Sequence, residues 1–272
     1  MSESPIFFHR DSDPAMQQAH EQARATFKYF WRELTWERQR IIPGLSMAAV
    51  KAPFSDGDGS GTTGNPGVEH MWIDEVEFDG QTISGVLLNE PNWLKSVKAG
   101  DPVRIAAREL SDWMYVIGSE VYGAYTVQVL RARMGRQERA EHDEAWGLEF
   151  GDPQQVRVVP TEKKSGGFFS RLFGGGKSEA AADEHPASVN LAPELRKQLA
   201  KQPELLAWRD DRGWSLLHVH SLAGNAEVVK VLLEAGVDSS LKTRHGATAM
   251  QLAHVLGWEK VVALLMAQGA RG

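Results

Sequence analysis

Gly213-Trp214-Ser215-Leu216-Leu217-His218 and Gly246-Ala247-Thr248-Ala249-Met250-Gln251 begin 33 residues apart. The correspondence continues through Gly224 and Gly257, Val228-Val229 and Val261-Val262, and Gly236 and Gly269, with leucine pairs at 232-233 and 264-265. Each copy reads as a turn followed by two short antiparallel helices, because Gly224 or Gly257 ends the first apolar run and Gly236 or Gly269 ends the second. A unit of this kind cannot bury its apolar face alone, so the copies must stack.

The period is that of ankyrin repeats, about 33 residues, and residues 188–272 resemble two such repeats preceded by a degenerate cap. Leu191, Leu195, Leu199, Leu205 and Leu206 carry the cap. The departures are informative. The usual Thr-Pro-Leu-His becomes Ser215-Leu216-Leu217-His218 and then Thr248-Ala249-Met250-Gln251, so both copies lack the Pro and the second also lacks the Leu and the His. His220 and His254 stand where small alanines are usual. Val261, Val262, Leu264, Leu265 and Met266 make an apolar last helix with no polar cap after it, which predicts a cover from the rest of the chain, from a second copy in a homodimer, or from a partner.

Ahead of the repeats the periodicity changes twice. Ala19, Ala23, Phe27, Phe30, Trp31 and Leu34 recur at three- and four-residue spacing and predict a helix over 16–40, closed by Pro43-Gly44. From there to about residue 160, β-type runs at 46–50, 71–78, 82–88, 103–107, 113–117, 121–130 and 156–159 alternate with turns such as Asp79-Gly80. The expected fold is α+β: an N-terminal helix plus a mostly antiparallel sheet with at least one helix on it over 1–160, then an all-α repeat domain. Residues 161–187 are rich in Gly and Ala and read as a flexible linker; Phe168-Phe169-Ser170-Arg171-Leu172-Phe173 within it is apolar enough for a short docking motif or for a partly ordered tether.

Composition excludes several functions. The chain has 272 residues, 30 Lys+Arg against 36 Asp+Glu and a formal charge of −6, which argues against nucleic acid as the main partner. With no Cys, thiolate nucleophiles, disulfides and Cys-ligated zinc are absent. The first residues lack a signal-peptide pattern and no apolar run approaches the ~20 residues of a membrane span, so the expected location is the cytoplasm, with no membrane partner.

Glu69-His70-Met71-Trp72-Ile73, Gly80-Gln81-Thr82-Ile83-Ser84-Gly85, Lys98-Ala99-Gly100-Asp101 and Ser111-Asp112-Trp113-Met114-Tyr115 resemble the bacterial YegJ-like family, domain of unknown function 2314. The helix over 16–40 and Val50-Lys51-Ala52-Pro53-Phe54 extend the resemblance to about residues 15–135. It implies architecture, and a family sometimes fused to ankyrin repeats, with no activity attached.

Lys51, Glu69, His70, Asp112 and Trp113 lie in those motifs. A carboxylate, an imidazole and an ammonium could serve acid–base work or anchor a ligand. The same residues could also be turn-forming carboxylates and a satisfied strand histidine around a tryptophan core. Other motifs are incomplete. Asp56-Gly57-Asp58-Gly59-Ser60-Gly61 begins like a calcium loop, but position twelve is Gly67 where Glu is needed. Gly176-Lys177-Ser178 has Arg171 in place of the first phosphate-loop glycine. Gly44-Leu45-Ser46-Met47-Ala48 ends in Ala in place of the nucleophile-elbow glycine. No metal or cofactor is expected; His218, His220, His245 and His254 share the repeat region, but His218 matches a motif histidine with a hydrogen-bonding role.

The expected function is therefore that of a non-enzymatic bacterial protein-binding protein. Arg212, Trp214, Arg244 and His245 on the repeat turns would grip the partner. The specific form expected is an immunity protein that neutralises a secreted antibacterial toxin. The alternative is an enzyme or small-ligand sensor built on Glu69, His70 and Asp112, with the repeats for recruitment.

Overall fold

The structure, a computed structural model, describes residues 13–57, 67–160 and 184–270. The docking motif at 168–173, most of the expected linker and most of the glycine-rich loop after Asp56 lie outside the described residues. Contacts divide the chain into two units: Met1–Phe30 with Gln39–Val158, and Trp31–Arg38 with Val159–Gly272. The second unit thus includes eight residues from far upstream as well as the repeats.

Helix α1 (Pro14–Glu37) carries the apolar stripe read from the sequence, and its part in the first unit, up to Phe30, has Ala23 and Phe30 fully buried. The sheet contains β1 (Leu45–Phe54), β2 (Glu69–Phe78), β3 (Thr82–Leu87), β4 (Pro102–Ala106), β5 (Asp112–Ile117) and β6 (Glu120–Gly123) in the order β4-β3-β2-β1-β5-β6. Every neighbouring pair is antiparallel. Alternation along the strands makes two faces. One meets α1: Phe27 packs edge-on against Phe78 with ring centroids 5.3 Å apart, and Trp113 Nε1 donates to the Ala23 carbonyl at 2.9 Å. On the other, Met114, Val116 and Val121 pack under α2 (Tyr125–Arg133), with Val127 and Phe150 completing the cluster.

The β-run expected over 121–130 is corrected. Its apolar residues suit either period, but the strand stops at Gly123 (φ 75°), where a Cβ would stand 2.3 Å from the Trp113 carbonyl oxygen. Ala124, with φ 59° and ψ 39°, then turns the chain into α2. Residues 156–159 form no strand either. They are held to the sheet by two hydrogen bonds, from Gly123 N to the Arg157 carbonyl at 2.8 Å and from the Tyr115 hydroxyl to the Val158 carbonyl at 2.9 Å. Helix α3 (Arg136–Trp146) follows α2.

In the second unit, α4 (Pro186–Lys201) and a 3-10 turn (Pro203–Ala207) form the first repeat; α5 (Leu216–Leu222) with α6 (Ala226–Glu234) and α7 (Ala249–Val255) with α8 (Glu259–Gly269) form the next two. The second copy's loss of His costs little, because Gln251 takes over its task. Ser215 N donates to His218 Nδ1 at 3.0 Å, and Thr248 N donates to Gln251 Oε1 at 2.9 Å. Both are capping boxes, in which the residue three positions on satisfies the N-cap amide.

Candidate functional site

The polar residues of the first unit divide by what their atoms already hold. Glu69 is buried and accepts from Asn92 N, Trp93 N and Leu94 N at 2.8–3.1 Å and from Asn92 Nδ2 at 3.0 Å, so it fastens the loop after β3. Asp112 is fully buried and accepts from Tyr125 N at 3.0 Å, Thr126 N at 2.7 Å, Thr126 Oγ1 at 2.6 Å and Trp113 N at 2.8 Å. Ala124 has no side chain able to cap α2, so Asp112 caps it from the neighbouring strand, with its charge at the positive end of the helix. Burial raises the Asp112 pKa, while the Thr126 hydrogen bonds and Lys51 oppose that rise. All of these hydrogen-bond partners are donors.

Lys51 pairs with Trp72 on β2 and Asp112 on β5 and therefore shares their face. Its ammonium lies 5.2 Å from the centre of the Trp72 ring and 3.5 Å from Thr126 Oγ1. Burial pushes its pKa down and the Asp112 charge partly restores it. His70 lies two positions from Trp72 on the same face, with Nδ1 2.8 Å from Ser111 Oγ and its ring 5.2 Å from that of His20. Trp113 belongs to the core: it is fully buried against Phe30 and Tyr115. The five residues named from the sequence thus comprise two carboxylates committed to amide donors, one core tryptophan, and Lys51 and His70 on a face they share with Trp72 and Asp112. Among the described residues, no group of three or more His, Cys, Asp or Glu could hold a metal ion.

On the repeats, Arg212, Arg244 and His245 are exposed on successive turns, and Arg244 N donates to the Arg212 carbonyl at 3.0 Å. Asp210 accepts from Arg212 N, Arg212 Nε and Trp214 N, which stiffens the first turn. Trp214 is placed otherwise than a gripping residue requires. It is 3% exposed and lies under the Arg212 guanidinium at 5.1 Å, so it supports the turn from beneath. The last two helices leave Met250, Val255 and Met266 open, the last at 61% exposure.

Sequence reasoning missed a polar chain in the second unit. Trp36 Nε1 donates to Asn225 Oδ1 at 3.0 Å, and Asn225 Nδ2 donates to His220 Nδ1 at 3.0 Å. The Trp36 ring stacks on His185 at 5.5 Å; His185 Nδ1 accepts from Ala187 N, which leaves Nε2 to donate to Glu33 Oε2 at 3.1 Å. His220 must be neutral to accept, and burial lowers its pKa from 6.5 to about 4. With the Asn225 side chain committed there, Glu184 caps α6 in its place, accepting from Ala226 N at 3.1 Å. The one signal available was His220, which stands where a small alanine is usual.

Residues 13–150 match the family described as an uncharacterized protein conserved in bacteria, DUF2314, and residues 181–271 match ankyrin repeats in three copies. A putative ankyrin repeat protein of Neisseria meningitidis serogroup B is 40% identical over 265 residues, which is 97% of this chain and 98% of that protein. The uncharacterized protein YegJ of Escherichia coli is 34% identical over 93 residues, 34% of this chain and 56% of that protein. The chain belongs to the DUF2314 family and carries ankyrin repeats after its family domain.

Proposed function

We propose that the protein is a non-enzymatic binding scaffold whose repeat turns hold a protein partner through Arg212, Arg244 and His245. The observation that carries this reading is that these three side chains stand exposed on adjoining turns stiffened by Asp210 and by the hydrogen bond between Arg244 and Arg212. Rigid presentation lowers the ordering cost of binding, and arginine is a frequent source of interface energy. The commitment of Glu69 and Asp112 to amide donors supports the non-enzymatic half. The partner class we put first is an antibacterial toxin, which makes the protein an immunity protein; this version rests on the bacterial family and its repeats. Among the described residues no helix is long and apolar enough to cross a membrane.

Arg212→Glu, Arg244→Glu and His245→Ala combined should leave the circular dichroism spectrum unchanged and abolish protection of cells that express the cognate toxin. Protection that survives the triple variant, and survives removal of residues 188–272, removes the repeats from the function. The open side chains Met250, Val255 and Met266 support a second copy as an additional partner. Sedimentation of wild type against Met266→Glu tests it, a monomer in both ruling it out.

A further inference from the structure

Among the described residues, Lys51 on the sheet face keeps donor hydrogens that its surroundings leave unspent. An ammonium has three donor hydrogens. Among the described residues its one acceptor in hydrogen-bond range is Thr126 Oγ1, at 3.5 Å, and the hydroxyl proton of Thr126 already goes to Asp112 Oδ2. No carboxylate among the described residues lies within ion-pair distance of the Lys51 ammonium, and both Asp112 oxygens are occupied by donors. The amine is nevertheless half-buried against the half-buried Trp72 ring, where the loss of hydration is expensive. His70, on the same face, adds a polar group next to the Ser111 hydroxyl. The face therefore combines a half-buried cation with spare donors, a half-buried indole that packs on the core and lies beside that cation, and a hydrogen-bonding imidazole.

We propose that Lys51, Trp72 and His70 form a binding site for a small anionic ligand, its carboxylate or phosphate oxygens accepting from the Lys51 ammonium while a flat apolar body lies on Trp72. The site is independent of the repeat turns. Anion binding supplies the missing acceptors and so relieves the cost of the buried cation.

Titration calorimetry of the full chain with benzoate, acetate and inorganic phosphate tests the site. Benzoate should bind at least about fivefold more tightly than acetate, the difference coming from Trp72 and disappearing in Trp72→Leu. Lys51→Met should weaken benzoate or phosphate about tenfold or more, and Lys51→Arg should hold affinity within about threefold, because charge is what the site needs. Lys51→Met should also raise the thermal midpoint, since a thioether of similar length removes an underpaired charge. Binding of phosphate without benzoate assigns the site to phosphate-bearing ligands. Failure of all three probes to bind wild type, unchanged affinity in Lys51→Met, or a lowered midpoint or loss of folding in that variant would each overturn the proposal; the last two would show that the amine is structural.

Discussion

The two units close their helices in different ways. In the repeats the closing bonds are local: His218 answers Ser215 and Gln251 answers Thr248, three residues apart each time. In the sheet unit they are remote: Asp112 caps a helix 13 and 14 residues further on, and Glu69 fastens a loop 23 to 25 residues away. A local cap forms with its own helix and costs only that helix when removed. A remote one joins elements that must already be in place, so its removal should spread. Two long-range bonds stand apart inside the repeat unit: Glu184 caps α6 across 42 residues, and Trp36 reaches Asn225 across 189.

Trp36→Ala is accordingly the change most able to break the comparison. It removes a buried indole and strands the Asn225 carbonyl, and should destabilise the second unit by about 4 to 5 kcal/mol, read by urea unfolding. A loss below about 1 kcal/mol would make the repeats self-sufficient. Asp112→Ala should cost the sheet unit about 3 to 4 kcal/mol, because it uncaps α2 and leaves the buried donors of Tyr125 and Thr126 unanswered. Hydrogen exchange would show the loss in both β5 and α2 if the cap is truly shared.

Acid should act on the second unit through His220. Its folded pKa, about 4, lies below the ordinary 6.5, so the unfolded chain takes up the proton first as pH falls. That stabilisation is complete above pH 6.5 and is lost as pH falls to 4, about 3 kcal/mol in all. Urea midpoints at pH 7 and pH 4.5 measure it, and His220→Gln should flatten the difference. Smallest is the local pair: Ser215→Ala should cost about 1 kcal/mol, and Gln251→His should stay within about 0.5 kcal/mol.

The same distinction governs what could be read in the sequence. The repeats were legible to the position because their patterns recur 33 residues apart and their caps are short-range. The strands were legible from alternation until residue 124, where one left-handed alanine turned a run of either period into a helix. Lys51, Glu69, His70 and Asp112 could be named as polar residues inside motifs. Their partners could not, because pairing depends on strand register and on Thr126 and Asn92, which carry no signal of their own. Trp36 fell inside the expected helix over 16–40 without belonging to its apolar stripe, and nothing in its neighbourhood points to an asparagine 189 residues away.

That separation also has a cost in time. A ribosome adds about 5 to 20 residues per second, so Trp36 is made roughly 10 to 40 seconds before Asn225 exists to receive it. The second unit cannot finish folding before Asn225 has been made, however early its neighbours settle. Throughout that interval Trp31 and Trp36, both buried in the finished protein, are hydrophobic surface without their final cover. Nascent chains halted before and after residue 225 should differ in chaperone capture, and Trp36→Ala should narrow the difference.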